Sequence, residues 1–561
     1  MLQISIPASG QRERAGPFHG SSDALALATL AARARPLLVV TESAWHAQRL
    51  LEEIPFFAPQ LKTYLFPDWE TLPYDHFSPH HDLVSERLGT LYQILRGDFD
   101  IAIVPVTTAL YRLPPVEYLA ANTFFFKQGG KLAPDELRRQ FTIAGYTHVT
   151  QVLAPGEYSY RGGLIDLFPM GSPLPYRIDL FDDEIESIRS FDVDTQRSIY
   201  KVSEVRLLPA REFPMDEAGQ TRFRRNFREK FEGDPSKSRV YKDVSRGVPT
   251  AGVEYYLPLF FDQTAFLTDY LPKDSTVCLQ GDVPAAIEQF WQDTRARHAM
   301  LRGDLANPVL PPGDLFLAAD AFFGAIRPFA RVELANRGAD ESAEPAATQP
   351  LPALAVERRA DHPLHSLTEF LAAFPGRTLL LAESPGRRET MLEYLGEHGL
   401  KPAVCGDFAQ FAAAGERLML GVGPLNSGFI LTAGQFAIVT ENELYATQVR
   451  NRAQREARRV SPEGMLRDLS EVKVGDPVVH EQHGIGRYRG LHTMDLGEGA
   501  TEFLTLEYAN NDKLYVPVSS LHLISRYSGA APEAAPLHTL GSGQWDKAKK
   551  KAAAQVHDTA A

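Results

Sequence analysis

Between Gly16 and Ala24 the chain reads GPFHGSSDA, a glycine-bearing turn that runs into the alanine-rich segment ALALATLAARA at 24–34. Such a turn could cradle phosphate if it also supplied a lysine for the β- and γ-phosphates and a hydroxyl for magnesium. It holds no lysine, and GxxxxGK[ST] occurs nowhere else in the chain. The chemistry offered by YRIDLF at 176–181 is recognition. Alternation puts Tyr176, Ile178 and Leu180 on one face of a strand and Arg177, Asp179 and Phe181 on the other. A ring beside a guanidinium and a carboxylate suits an interface anchor, and equally an outer sheet face of mixed charge. Asp182 and Asp183 read as a turn and Ile185–Phe191 as the return strand, so DDE at 182–184 is not an acidic helicase motif.

The remaining candidates for chemistry are weaker. His80 and His81 have no third ligand at metal spacing and read as a loop or helix entry. HEQH at 480–483 brings its second histidine one residue too early for the HExxH zinc arrangement. Cys278 and Cys405 are distant in sequence, with no metal spacing around either. Gly421, Gly423 and Gly428 in GVGPLNSG lack the dinucleotide fingerprint. Neither a catalytic set nor a metal site is expected.

The elements that must position these residues divide a long chain. At 561 residues it exceeds one core, and about 150 residues per domain gives three to five domains. With 58 basic and 71 acidic residues the net charge is −13, which disfavours general nucleic-acid binding and makes protein partners the first expectation. No apolar run reaches a membrane span, the N-terminus lacks the order of a signal peptide, and two lone cysteines suit a reducing cytoplasm. A strand at 36–40, a helix capped by Ser43 and a strand over Ile101–Val104 point to a parallel sheet covered on both faces. Prolines 67, 73 and 79 force FPDWETLPYDHFSPH into an extended path. Phe223, Phe227 and Phe231 recur at helical spacing among arginines, reading as a packed stripe with a solvated basic face rather than a nucleic-acid surface. Residues 336–361, rich in Ala, Pro, Glu and Ser, read as a flexible linker. A small α/β unit with no evident chemistry follows at 362–455, closed by the basic helix RNRAQREARR, and 468–530 reads as short strands of a small barrel.

Three stretches carry a resemblance. RGGLIDLFP with YRIDLFDDEIESIRSFD, and FPDWETLPYDHFSPH, are similar to the domains shared by the excision-repair helicase subunit UvrB and the bacterial transcription-repair coupling factors. VVHEQHGIGRYRG with EFLTLEYANNDKLYVPVSSLHLISRY resembles the polymerase-interacting domain those factors share with CarD-type regulators. The resemblance implies an α/β multidomain chain. Its expected parts are a degenerate P-loop, UvrB-like domain at 1–122 and 211–335 interrupted by a UvrA-binding domain at 123–210, a linker at 336–361, the 362–455 unit, a connector at 456–467, a Tudor/SH3-like barrel at 468–530, and at 531–561 the start of a helix toward absent motor lobes. It implies that Arg161, Arg177 and Phe181 dock UvrA, and that Thr493, Met494 and Asp495 lie on an edge strand that binds the RNA polymerase β subunit. If Gly20, Ser21 and Ser22 align with the family's phosphate loop, Asp23 replaces its lysine and Ala24 its magnesium-binding hydroxyl, so the site is expected to be dead. ATP, magnesium and most contact with double-stranded DNA would belong to the motor lobes of a monomeric cytoplasmic translocase. The rivals are UvrB itself, which needs an intact phosphate loop, and a CarD-like regulator, which leaves the first 330 residues unexplained.

Overall fold

The runs LLVVT and IAIVP have no polar face, and TVCLQ is buried along its whole length, a pattern suited to a doubly covered sheet. The computed structural model describes residues 2–334, 347–445 and 474–527, apart from 3, 35, 133–136, 138–139, 142–143, 305, 358–359, 433, 481–482, 496–499 and 518–523, together with 535 and 537–539. Its first sheet is built of β1 (Arg12–Ala15), β2 (Leu37–Thr41), β3 (Thr63–Leu65), β4 (Ile101–Pro105), β13 (Thr276–Gln280) and β14 (Ala330–Leu334). They lie in the order β1-β14-β13-β2-β4-β3, all parallel. Helices α1 (Ser22–Ala31) and α2 (Ala44–Phe57) share a core with Leu37, Val39, Ile101 and Ile103; α3 (His81–Arg96) shares one with Leu38, Val40, Ala102 and Val104. Alternate residues of each strand thus serve opposite layers.

A second unit is inserted in the first. The chain leaves along β5 (Phe124–Lys127) and returns along its antiparallel partner β12 (Glu204–Leu207). Between them β6 (Thr147–His148), β7 (Glu157–Arg161), β8 (Leu164–Leu167), β9 (Tyr176–Phe181), β10 (Glu184–Phe191) and β11 (Ser198–Val202) form one sheet in sequential order. The unit is pinned to α3, where Gly89 and Gly171 approach so closely that a Cβ on Gly171 would stand 2.9 Å from the Gly89 Cα. It is pinned again at its exit by Glu212, which accepts from Arg87 Nε at 2.6 Å and Trp69 Nε1 at 3.3 Å. Arg87 is 1% exposed and lies over the rings of Phe66 and Trp69. The extended FPDWETLPYDHF motif thus works as part of a buried ionic tie.

A third sheet, of mixed direction, contains β15 (Thr348–Gln349), β16 (Arg377–Ala382), β17 (Ala403–Val404), β18 (Leu418–Val422), β19 (Phe429–Leu431) and β20 (Phe436–Thr440), in the order β15-β19-β20-β16-β18-β17. One face packs under the helices His365–Ala373 and Pro385–Glu397, and the other joins the core of α1 and α2 through Leu379, Leu381, Phe429 and Ile438. The expected linker at 336–361 needs correction here. Residues 347–357 belong to this unit: Thr348 is buried in β15, its hydroxyl donating to the Pro17 carbonyl at 3.1 Å, and Leu354 is buried in the core. Its burial comes from neighbours distant in sequence, which composition does not register. Residues 336–346 of that linker, the RNRAQREARR helix and the terminal helix start lie outside the described residues.

The last sheet is antiparallel, β24-β23-β22-β21-β25, with β21 at Pro477–His480, β22 at Gly484–Asp495, β23 at Ala500–Glu507, β24 at Lys513–Pro517 and β25 at Ile524–Arg526. Val478, Tyr488, Leu504, Leu506, Val516 and Ile524 form its core. Among the described residues no pairing joins β24 to β25, so where a barrel is expected the structure has a five-stranded sheet without closure.

Candidate functional site

The register of the inserted sheet decides which side chains share its outer face. Arg161 lies opposite Leu164, Leu164 opposite Asp179, and Asp179 opposite Ser187. In the next row Ser159, Asp166, Arg177, Arg189 and Lys201 follow one another across five strands. Directly opposed residues project to the same side, so Arg161, Arg177 and Phe181 share one face. Tyr176, Ile178 and Leu180 turn to the core on the other, as alternation predicts.

The three residues differ in how free they are. Phe181 is 76% exposed, held at the end of β9 by a turn in which Asp182 takes a left-handed conformation (φ 59°). Arg161 is exposed at the end of β7 and donates to the Thr150 carbonyl. Arg177 is 19% exposed along its side chain and fully engaged. Its Nε and Nη2 donate to the two Asp166 carboxylate oxygens at 2.7 and 2.9 Å, Nη1 donates to the Gln196 carbonyl at 3.1 Å, and the guanidinium stands 5.0 Å from the Phe191 ring centre. The fork to Asp166 holds Arg177 above its ordinary pKa. Asp179 is likewise taken up, accepting from Ser187 Oγ at 2.6 Å and from Arg189. Around Arg177 and Asp179 the face is therefore a set of paired charges, with the exposed Phe181 ring beside them. Asp166 and Gln196 escape sequence reading as partners of Arg177, although the period of LIDL already puts Asp166 on its face.

In the C-terminal sheet, Thr493, Met494 and Asp495 stand opposite Glu502, Thr501 and Ala500. β21 pairs only with Gly484–Arg487 of β22. Among the described residues the 491–495 part of β22 thus has a neighbour on one side only, which leaves an edge open to a further strand.

The turn at Gly20–Ala24 is where the structure departs furthest from a phosphate site. Ser21, Ser22, Asp23 and Ala24 are all buried. Asp23 accepts from Arg49 of α2 and from Gln280 Nε2 at 3.1 Å. Arg49 Nη1, which also donates to Asp23, donates to Glu53 at 2.6 Å. Ser21 Oγ and the Asn426 backbone N–H both donate to Glu53, each at 2.8 Å. Burial, only partly offset by an Arg49 that is shared with Asp23, pushes the Glu53 carboxyl up to about 7. The loop Leu425–Gly428 closes the turn from outside: Ser21 N–H donates to the Ser427 carbonyl at 2.9 Å, and a Cβ on Gly20 would overlap the carbonyls of Ser427 and Gly428. These residues do not fit a nucleotide, because a carboxylate, a guanidinium already paired twice and a foreign loop fill the place of the phosphates. Gly423, which would strike Phe56 of α2 if it carried a Cβ, is a docking glycine, whereas Gly428 packs within its own unit, where a Cβ would meet the Ile438 carbonyl; spacing alone revealed neither role.

Other residues singled out in the sequence have structural places. His80 caps α3, its Nδ1 accepting from Asp82 N–H. His480 is buried and lies 4.8 Å from the His483 ring, and burial, then His483, brings its pKa down to about 4. Phe223 and Phe227 are buried on the helix Glu217–Lys230 while Arg225 pairs with Asp262 at its surface. No group of three or more metal-ligating side chains is found among the described residues, and no helix among them is long and apolar enough to cross a membrane.

Comparison with known proteins adds families to this geometry. The family model described as UvrB interaction domain matches residues 124–213, which hold Arg161, Arg177 and Phe181. The MFD, D3 domain model matches 370–444, and the CarD-like/TRCF RID domain model matches 472–528, which hold Thr493–Asp495. The transcription-repair-coupling factor of Escherichia coli K12 is 42% identical over 99% of this chain and 48% of its own length. That of Haemophilus influenzae is 41% identical over 96% and 47%, and that of Bacillus subtilis 26% identical over 94% and 46%. The chain spans about half the length of the curated relatives it matches. Along nearly all of its length, this chain is similar to the N-terminal half of the transcription-repair-coupling factors.

Proposed function

We propose that this chain is the adaptor region of a transcription-coupled nucleotide excision repair factor, recruiting UvrA at one end and holding the RNA polymerase β subunit at the other. The observation that carries the reading is Phe181, a large ring three-quarters exposed on the face it shares with Arg161 and Arg177. An exposed aromatic ring flanked by two arginines has the composition of an interface anchor. The open edge at Thr493–Asp495 supports the second contact, made by β-augmentation, with Met494 as a pliable apolar contact. In this reading the first sheet and its insertion are a UvrB-like pair of half-domains around the UvrA-binding domain, and the last, open sheet is the polymerase-interacting domain. The chain itself uses no cofactor. ATP, magnesium and double-stranded DNA are engaged by motor lobes of the whole factor, a monomeric cytoplasmic translocase that releases polymerase stalled at lesions.

Titration of purified UvrA and, separately, of polymerase β into the chain tests this. The triple change Arg161→Ala, Arg177→Ala and Phe181→Ala is expected to abolish UvrA binding and spare β, and Met494→Lys the reverse. A folded triple variant that binds UvrA as the wild type does would refute the first assignment.

A further inference from the structure

The turn at Gly20–Ala24 and the loop Leu425–Gly428 lie some 400 residues apart in sequence and are built to meet. On the turn side, Asp23 and Glu53 hold Arg49 between them, which leaves a Glu53 oxygen and the Ser21 hydroxyl facing outward. On the loop side, Asn426 and Ser427 present their backbone N–H groups, the first to Glu53 at 2.8 Å and the second to Ser21 Oγ at 3.2 Å, and the Ser427 carbonyl receives the Ser21 N–H. The loop is itself braced from behind. Glu443 accepts from Gly428 N–H at 2.9 Å and Ser427 Oγ at 3.1 Å, and Asn442 Nδ2 donates to the Asn426 carbonyl at 2.7 Å. Around this polar plug runs one hydrophobic core that contains α1, α2 and the facing side of the third sheet.

We propose that the former phosphate turn is a socket whose resident ligand is the loop Leu425–Gly428, so that the first and third units move as one body whose junction nucleotide does not open. The polarity of the turn suits a peptide loop better than an anion. A lysine at position 23 would draw anions into the turn, whereas Asp23 turns Arg49 inward and leaves Glu53 to receive backbone N–H groups, which a peptide loop offers and a triphosphate does not. The loop also matches the socket in shape, since Gly20, with no side chain, lets the Ser427 and Gly428 carbonyls pass against the turn. The proposal does not depend on the adaptor reading.

Hydrogen exchange on the whole chain tests it. Gly20→Ala places a Cβ against the partner loop's carbonyls and is expected to raise exchange about tenfold both at 20–24 and at 425–428, across the junction, while β9 and β10 keep wild-type protection. Asn442→Ala, which removes only a brace behind the loop, is expected to raise exchange in the same two segments by a smaller factor and serves if Gly20→Ala does not fold. Millimolar AMP-PNP with magnesium is expected to change neither segment of the wild type. Response confined to the mutated side, or protection of 20–24 by AMP-PNP, would overturn the proposal.

Discussion

Removing Phe181 and removing Arg177 should have opposite signatures, although both residues sit on one face of the inserted sheet. Phe181 buries only about a quarter of itself in the folded chain, so Phe181→Ala is expected to leave folding stability within about 0.5 kcal/mol of wild type. If the ring fills a pocket on UvrA, its loss costs binding about 2 kcal/mol or more, on the order of thirtyfold in Kd. Arg177 stands in a different position. Arg177→Ala deletes a two-pronged bond to Asp166 and a bond to Gln196, and strands a carboxylate that is only 15% exposed. That should cost the inserted domain about 2–3 kcal/mol, part of it from the unpaired Asp166. Arg177→Lys, which keeps the charge and loses the fork, should fall between. Urea denaturation followed by tyrosine fluorescence of the inserted domain gives the folding term, and calorimetric titration with UvrA gives the binding term. If Phe181→Ala shifts the urea midpoint as far as Arg177→Ala does, or if Arg177→Ala leaves the midpoint unmoved, the division into a free anchor and a braced neighbour is wrong.

Two further outcomes follow from buried charge. Glu212→Ala leaves the Arg87 guanidinium in the core without its carboxylate and should destabilise the junction of first and second units by about 3–5 kcal/mol, read as a lowered urea midpoint; Arg87→Met with Glu212→Leu should recover much of that loss. Glu53 rises from 4.5 to about 7 on folding, so between those values the folded chain holds a proton that the unfolded chain has released. Stability is therefore greatest toward the lower end of that window and falls by about 3 kcal/mol as pH rises through 7, a slope that Glu53→Gln should flatten in unfolding measured from pH 5 to 8.

The fold was most legible where periodicity and burial agree. Leu37–Thr41 and Ile101–Pro105 announce themselves as doubly covered strands because every residue is apolar or small, and the sheet buries every one of them. The 176–181 alternation was legible for the same reason, since one buried face fixes the register of a strand. What stayed hidden were contacts whose partners are far away in sequence. Arg177 reads as an outward charge until Asp166, eleven residues earlier, is seen to lie directly across from it. Residues 347–357 read as linker because their composition is that of a linker, and the edge of β19, the Pro17 carbonyl and the core around Leu354 supply the burial that orders them.

The glycines of GVGPLNSG and the missing lysine of GPFHGSSDA look, each alone, like two motifs that have decayed. Placed against one another they account for each other. Once Asp23 holds Arg49, the turn has no free cation for a phosphate, and its remaining needs are an acceptor for the Ser21 N–H and donors for Glu53. A loop can meet those needs only if its backbone comes within hydrogen-bonding distance, which at Gly20 excludes any side chain. A β-carbon at Gly20 would therefore do more harm than exchanging Asn426, because Asn426 and Ser427 reach the turn through backbone N–H groups that every residue except proline provides.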